Sequence, residues 1–227
     1  MLFHGLAARV SEVRERIGAA VARGGHGQQV TIVAVTKTHG PDAVRAAWEA
    51  GLRDVGENRV QEAVTKMAEV DVPVRWHLIG HLQRNKVKAL DKFVLLHSLD
   101  SSRLADAVNQ HGLDRQRAVE ALVQVNVSGE ESKGGFSLQE VASEAERFIE
   151  RPGVRVVGVM TMAPLDADER VLRHVFQEAR TARELLVKAG HPAFELSMGM
   201  SNDYEIAVEE GATMVRLGTV LFGARST

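Results

Sequence analysis

Two kinds of residue in this chain could do chemistry: a lysine after an apolar run, and two glycine- and hydroxyl-containing segments near the end. Lys37 follows the apolar run 30–36, and the two segments are residues 197–202 (SMGMSN) and 216–219 (RLGT). Burial lowers the pKa of a lysine amine and makes it a better nucleophile toward an aldehyde. Glycine and hydroxyl residues after strands commonly bind phosphate. Together they predict a site for a phosphorylated aldehyde such as pyridoxal 5′-phosphate (PLP).

Short apolar runs alternate with amphipathic helical patterns, which indicates a parallel sheet covered by helices. The candidate strands are residues 30–36, 54–56, 76–79, 93–97, 122–126, 156–160, 194–197 and 214–217. Leu6, Val10 and Val13 recur at helical spacing and predict an extra N-terminal helix. The chain is therefore predicted to be an α/β protein in which residues 1–227 form a single (β/α)8 TIM-type barrel domain. A doubly wound sheet is the alternative, although no G-x-G-x-x-G motif follows a strand.

Capping signals mark several helix ends. Ser137 with Glu140 predicts a capping box, and Ser101 or Ser102 is expected to cap the helix before it. Ser201 is predicted to begin the last helix, which ends at Gly211. Residues 85–90 predict a short helix.

Bulk composition excludes several classes of function. The formal net charge is -2, so nothing points to a nucleic-acid or membrane partner. The chain has no cysteine, which excludes disulfides, thiolate catalysis and cysteine-ligated metals and fits a cytoplasmic location. The N-terminus lacks the apolar stretch of a signal peptide. We expect a cytoplasmic protein that acts as a monomer.

Residues 197–202 and 216–219 lie at the ends of predicted strands seven and eight, where barrels frequently bind phosphate. Ser201 at a predicted helix start offers a hydroxyl and backbone N–H groups, and Gly218 with Thr219 offers close backbone approach and a second hydroxyl. The alternative is that Ser201 only caps a helix and Gly218 only forms a turn. The presence of both segments at the two expected strand ends favours phosphate.

Arg216 has two interpretations, because a buried arginine needs a partner. It could pair with a barrel carboxylate such as Glu57, or it could face the ring nitrogen of a cofactor. A guanidinium only donates hydrogen bonds, so it would leave that nitrogen unprotonated. PLP would then be a poor electron sink.

Other candidates are less specific. His77 and His81 have the spacing of two zinc ligands, but they fall on a strand and a loop and no glutamate follows His77. We therefore expect no metal. Asn58, after strand two, could reach a ligand or cap the next helix. Residues 128–135 form a polar, glycine-rich loop that could be a lid or a plain solvated loop.

The chain resembles the pyridoxal phosphate homeostasis protein family, the small relatives of the alanine racemase barrel. The matching segments are residues 34–38 (AVTKT), 56–62 (GENRVQE), 76–83 (WHLIGHLQ), 123–128 (VQVNVS), 158–162 (GVMTM), 196–204 (LSMGMSNDY), 215–219 (VRLGT) and 222–225 (FGAR). The resemblance covers essentially the whole chain. Thr36 stands where the family often has serine, and Arg59 where it often has tyrosine.

This resemblance implies an alanine racemase N-terminal-domain-like barrel of PLP fold type III, with PLP bound to Lys37 as an internal aldimine. It implies that the phosphate meets Ser201, Gly218 and Thr219. Arg216 would lie near the pyridine nitrogen, Asn58 beside the ring, and Met200 in the same site. The implied role is in PLP (vitamin B6) homeostasis and amino-acid balance, with PLP-requiring apoenzymes as possible recipients.

The resemblance also implies that no residue here is catalytic. The racemase relatives carry a second domain that supplies an opposing tyrosine, whereas this chain ends at Thr227 and its one tyrosine, Tyr204, is expected in the last helix. With no placed base, ordinary turnover is not expected. Two alternatives are a PLP-dependent racemase or decarboxylase, and a Schiff-base aldolase that acts on a sugar phosphate without a cofactor.

Overall fold

The computed structural model describes residues 3–127 and 134–223. Most of the predicted glycine-rich loop, residues 128–133, lies outside that part of the chain. The strands are β1 Thr31–Val35, β2 Asp54–Glu57, β3 Arg75–Leu78, β4 Leu95–Leu99, β5 Val119–Val125, β6 Val154–Thr161, β7 Glu195–Ser197 and β8 Met214–Leu217. The helices are α1 Leu6–Gly24, α2 Pro41–Glu49, α3 Val60–Glu69, α4 Ser102–Asp114, α5 Leu138–Ile149, α6 Glu169–Lys188, α7 Tyr204–Glu209 and α8 Thr219–Phe222, with a 3-10 helix at Arg84–Lys92.

The strands form a closed parallel barrel in chain order. β1 pairs with both β2 and β8, and in the second pair Val33 lies opposite Arg216. Strands such as β4 are buried along their whole length because helices cover one face and the barrel interior the other. The predicted barrel is confirmed.

Helix α1 is the additional N-terminal helix. Its buried face contains Leu6, Val10, Val13, Ile17 and Ala20. It packs against α7 and α8, the last two helices. Helix α1 therefore joins the beginning of the described chain to its end.

Most of the capping signals were correct. Ser101 accepts a hydrogen bond from the Leu104 backbone N–H, and Ser137 and Glu140 form the complete capping box of α5. The prediction for Ser201 was wrong, because Ser201 lies in a turn and α7 begins only at Tyr204. The segment predicted as a short helix at 85–90 is the 3-10 helix. Tyr204 is the first residue of α7, the helix that was predicted to end at Gly211, but this helix is not the last one, since α8 follows it.

Gly112 is a position where the fold needs the absence of a side chain. A Cβ on Gly112, in α4, would lie 2.1 Å from the backbone oxygen of Gly153. The backbones of Gly112 and Gly153 are both held in a close-packed interior, so a shift of either one would cost free energy. A Cβ on Gly18, in α1, would meet nothing within 4 Å.

We predict opposite effects of alanine at these two helical glycines. Gly112→Ala should lower the free energy of unfolding by roughly 1–3 kcal/mol through overpacking. Gly18→Ala should raise it by up to about 1 kcal/mol, because alanine is the better helix former. Urea denaturation of both variants measures the difference. Equal stability of the two variants would contradict the close approach of α4 to the backbone before β6.

Candidate functional site

A cavity of about 980 Å³ opens at the carboxyl ends of the strands. All seven residues predicted for the site line it: Lys37, Asn58, Met200, Ser201, Arg216, Gly218 and Thr219. Of the described residues that line this cavity, only Lys37 is a lysine. The strand ends thus bring one amine, one guanidinium and two hydroxyl groups to a common space.

The backbone next to Lys37 is held by a buried ion pair that the sequence analysis missed. The Lys66 Nζ atom donates to the backbone oxygen of Thr36, at 2.8 Å, and to the Glu57 carboxylate. The Thr36 hydroxyl donates to the same carboxylate. Lys66, Glu57 and Thr36 are all buried. Burial raises the pKa of Glu57, and the hydrogen bonds from Lys66 and Thr36 oppose that shift.

This ion pair distinguishes the two lysines near the site. Lys66 holds the turn after β1 through its hydrogen bond to Thr36, whereas Lys37 is partly exposed and faces the cavity. Thr38 follows with a left-handed backbone (φ 67°), and its N–H donates to Glu62 at 2.7 Å. The turn that presents Lys37 is therefore fixed on both sides by α3.

Arg216 is buried and is held by oxygen atoms from two other strands. Its Nη1 donates to the backbone oxygen of Ser197 at 2.7 Å and to the Ser197 hydroxyl at 2.8 Å. Its Nη2 donates to the backbone oxygen of Thr161 at 2.9 Å. The alternative pairing with Glu57 is wrong, because that carboxylate binds Lys66 and Thr36.

The Arg216 guanidinium keeps its charge at neutral pH. Burial lowers the pKa of Arg216 to about 10, while the field of Asp203 acts against that shift. Within residues 3–127 and 134–223 no carboxylate makes an ion pair with it. A buried cation held mainly by neutral oxygens can interact strongly with a ligand, because little of its field is screened.

The two predicted phosphate segments are joined in space. The Ser201 hydroxyl accepts a hydrogen bond from the backbone N–H of Val220, at 3.2 Å, in the first turn of α8. The backbone N–H of Arg216 donates to the backbone oxygen of Gly199 at 3.0 Å. Ser201 is thus not a helix cap: it ties the loop after β7 to α8. Its own hydroxyl hydrogen can still donate to a ligand, as can that of the exposed Thr219.

His77 and His81 point to different partners. His77 is buried and contacts Asp54 and His97. His81 is exposed at the cavity, where its Nδ1 lies 2.8 Å from Asp100. Across the described residues, no cluster of three or more His, Cys, Asp or Glu side chains could hold a metal ion. The His81–Asp100 pair was not predicted from the sequence.

No helix in the described part of the chain is both long enough and apolar enough to cross a membrane.

Comparison with known proteins identifies the family. Residues 10–226 match the family model for the alanine racemase N-terminal domain. A pyridoxal phosphate homeostasis protein of Aquifex aeolicus is 42% identical over 221 residues, which span 96% of this chain and 97% of the relative.

Solved structures agree with this result. PipY of Synechococcus elongatus with PLP bound has 35% sequence identity and a TM-score of 0.85, and the match covers 96% of this chain and 100% of PipY. Alanine racemase from Corynebacterium glutamicum, with 16% identity and a TM-score of 0.76, matches 99% of this chain with 62% of its own, and it shares the fold alone. From its barrel, its full-length sequence match and its PLP-bound structural neighbour, this chain belongs to the pyridoxal phosphate homeostasis protein family.

Proposed function

We propose that this protein binds PLP, holds it through Lys37 and takes part in PLP homeostasis. The observation that carries the proposal is the common cavity of the Lys37 amine, the Arg216 guanidinium and the Ser201 and Thr219 hydroxyls. The names of its relatives and the PLP-bound structure of PipY support it.

The donors in the cavity fit the chemical groups of PLP. The two hydroxyls can donate to a phosphate, and Arg216 can donate to an acceptor such as a ring nitrogen. Lys37 supplies the amine. When bound, PLP supplies an aldehyde that condenses reversibly with amines and a ring that can take up electrons.

The site is better suited to holding PLP than to turning over amino acids. Arg216 stays charged and donates only, so it does not protonate the ring nitrogen, and an unprotonated ring takes up electrons poorly. One observation favours the alternative, a racemase- or decarboxylase-type enzyme: His81, oriented by Asp100, is a base on the cavity wall. The test of turnover must therefore include His81.

The first prediction for this site concerns the lysine to which PLP is attached. Borohydride reduction of the PLP-loaded protein followed by peptide mass mapping should place the cofactor on Lys37. Lys66 should stay unmodified because it is buried in its ion pair with Glu57. Lys37→Ala should abolish the visible absorbance of the bound cofactor. Labelling mainly at another lysine would refute the assignment.

The second prediction concerns the phosphate. Ser201→Ala combined with Thr219→Ala should weaken PLP binding at least about tenfold, because a hydrogen bond to a charged group contributes roughly 1.5–3 kcal/mol. Binding of pyridoxal, which lacks the phosphate, should change much less. Thr181→Ala, which removes a hydroxyl on the surface of α6, is the control and should affect neither ligand. Equal losses for PLP and pyridoxal would argue against a phosphate site here.

The third prediction concerns turnover. Incubation of the PLP-loaded protein with alanine or serine in deuterated buffer should give little exchange at Cα and no steady product. Fast exchange that is lost in Lys37→Ala and reduced in His81→Gln would instead establish the enzyme alternative, with His81 as its base. Proton NMR of the amino acid measures the exchange directly.

Three earlier expectations stay predictions: the cytoplasmic location, the monomeric state, and PLP-requiring apoenzymes as recipients of the cofactor.

A further inference from the structure

A row of buried polar side chains crosses the barrel from the cavity toward the amino ends of the strands. The Arg216 Nη1 atom lies 2.8 Å from the Ser197 hydroxyl, which lies 2.9 Å from His97 Nδ1. His97 Nε2 lies 2.9 Å from His77 Nδ1, and His77 Nε2 lies 2.9 Å from the Asp54 carboxylate. Ser197 is on β7 and His97 on β4, which are not neighbours, so their contact passes through the barrel interior.

The chemistry of the two ends fixes the direction of every hydrogen bond in this row. Arg216 only donates, so the Ser197 hydroxyl accepts from it and donates its own hydrogen to His97 Nδ1. His97 then carries its proton on Nε2 and donates to His77 Nδ1. His77 in turn carries its proton on Nε2 and donates to Asp54. The opposite direction would need a charged His77 and would leave the Ser197 hydroxyl hydrogen without an acceptor in the row.

The charges of these groups agree with that direction. Burial, together with the charge of the nearby Arg216, lowers the pKa of His97 well below its ordinary value, so its imidazole is neutral. Burial acts to raise the pKa of Asp54, but the hydrogen bonds from His77 and Arg75 hold it below its ordinary value. Asp54 is therefore an ionised acceptor. Arg75, more than half exposed, pairs with it at 2.6 Å.

We propose that Ser197, His97 and His77 are positioning residues that hold the Arg216 guanidinium toward the ring nitrogen of bound PLP. This inference rests on the proposed PLP site. Two strands hold the guanidinium: Ser197 fixes Nη1 with its hydroxyl and backbone oxygen, and the Thr161 oxygen fixes Nη2. The two histidines hold the Ser197 hydroxyl in the orientation that accepts from Arg216. A set of donors fixed before the ligand arrives loses little entropy when it binds.

The first test compares PLP with its 1-deaza analogue, in which a carbon replaces the ring nitrogen. The wild-type protein should bind PLP more tightly than the analogue. In Ser197→Ala and in His97→Gln, the ratio of the two affinities should fall about tenfold. The matched control is His191→Gln, because His191 is also buried but bonds to the Ala145 oxygen outside the cavity. It should keep the wild-type preference. If the variants bind both ligands more weakly but with an unchanged ratio, the row is only structural and the proposal is refuted.

A second test needs neither a variant nor a cofactor. Nitrogen-15 NMR of the cofactor-free protein should show His77 and His97 as neutral imidazoles protonated on Nε2. A charged ring, or a proton on Nδ1 of either residue, would refute the hydrogen-bond directions derived for this row and with them the proposal. This result is independent of whether PLP binds to Lys37. A failure of the proposed function and a failure of this inference can therefore be told apart.

Discussion

Closure of the sheet between β1 and β8 is the constraint on which the site depends. Lys37 and Arg216 are far apart in sequence, and they share a cavity because β1 lies beside β8 with Val33 opposite Arg216. The same closure sets α8 and the loop after β7 around the end of β1. The hydrogen bond from Val220 to Ser201 then ties that loop to α8. A barrel that did not close would still have every residue of the site, but not their juxtaposition.

Two buried cations lie near the site, and each is held in a different way. One cation, Lys66, is neutralised directly by Glu57 and stabilises the backbone before Lys37. The other, Arg216, is held by hydroxyl and carbonyl oxygens, with the Asp54 carboxylate at the far end of the histidine row. A buried ion pair contributes little net stability, because desolvation offsets the attraction. The value of both arrangements lies in fixing geometry.

The sequence was sufficient for features that depend on local pattern. Strands with apolar runs, the α5 capping box and the placement of Lys37, Ser201 and Gly218 at strand ends could be predicted in this way. Met200 was expected in the site only from the family resemblance. The role of Ser201 could not be predicted, since its partner Val220 comes nineteen residues later on another element. The ion pair of Lys66 with Glu57 joins a helix to a strand, and the contact of His97 with Ser197 crosses the barrel. No periodicity or spacing encodes pairs of this kind, because they arise only when the barrel closes.

Helix α1 has a consequence for how the protein is made. The ribosome synthesises α1 before any strand of the barrel, whereas α7 and α8, against which it packs, follow β7 and β8. Until then its apolar face, including Leu6, Val10 and Val13, lacks its native cover, and β1 lacks one of its two neighbouring strands. A nascent chain with an unpaired strand edge and an uncovered apolar helix is a typical client for chaperones. The contacts that complete the barrel can therefore form only after β8 and α8 have been synthesised.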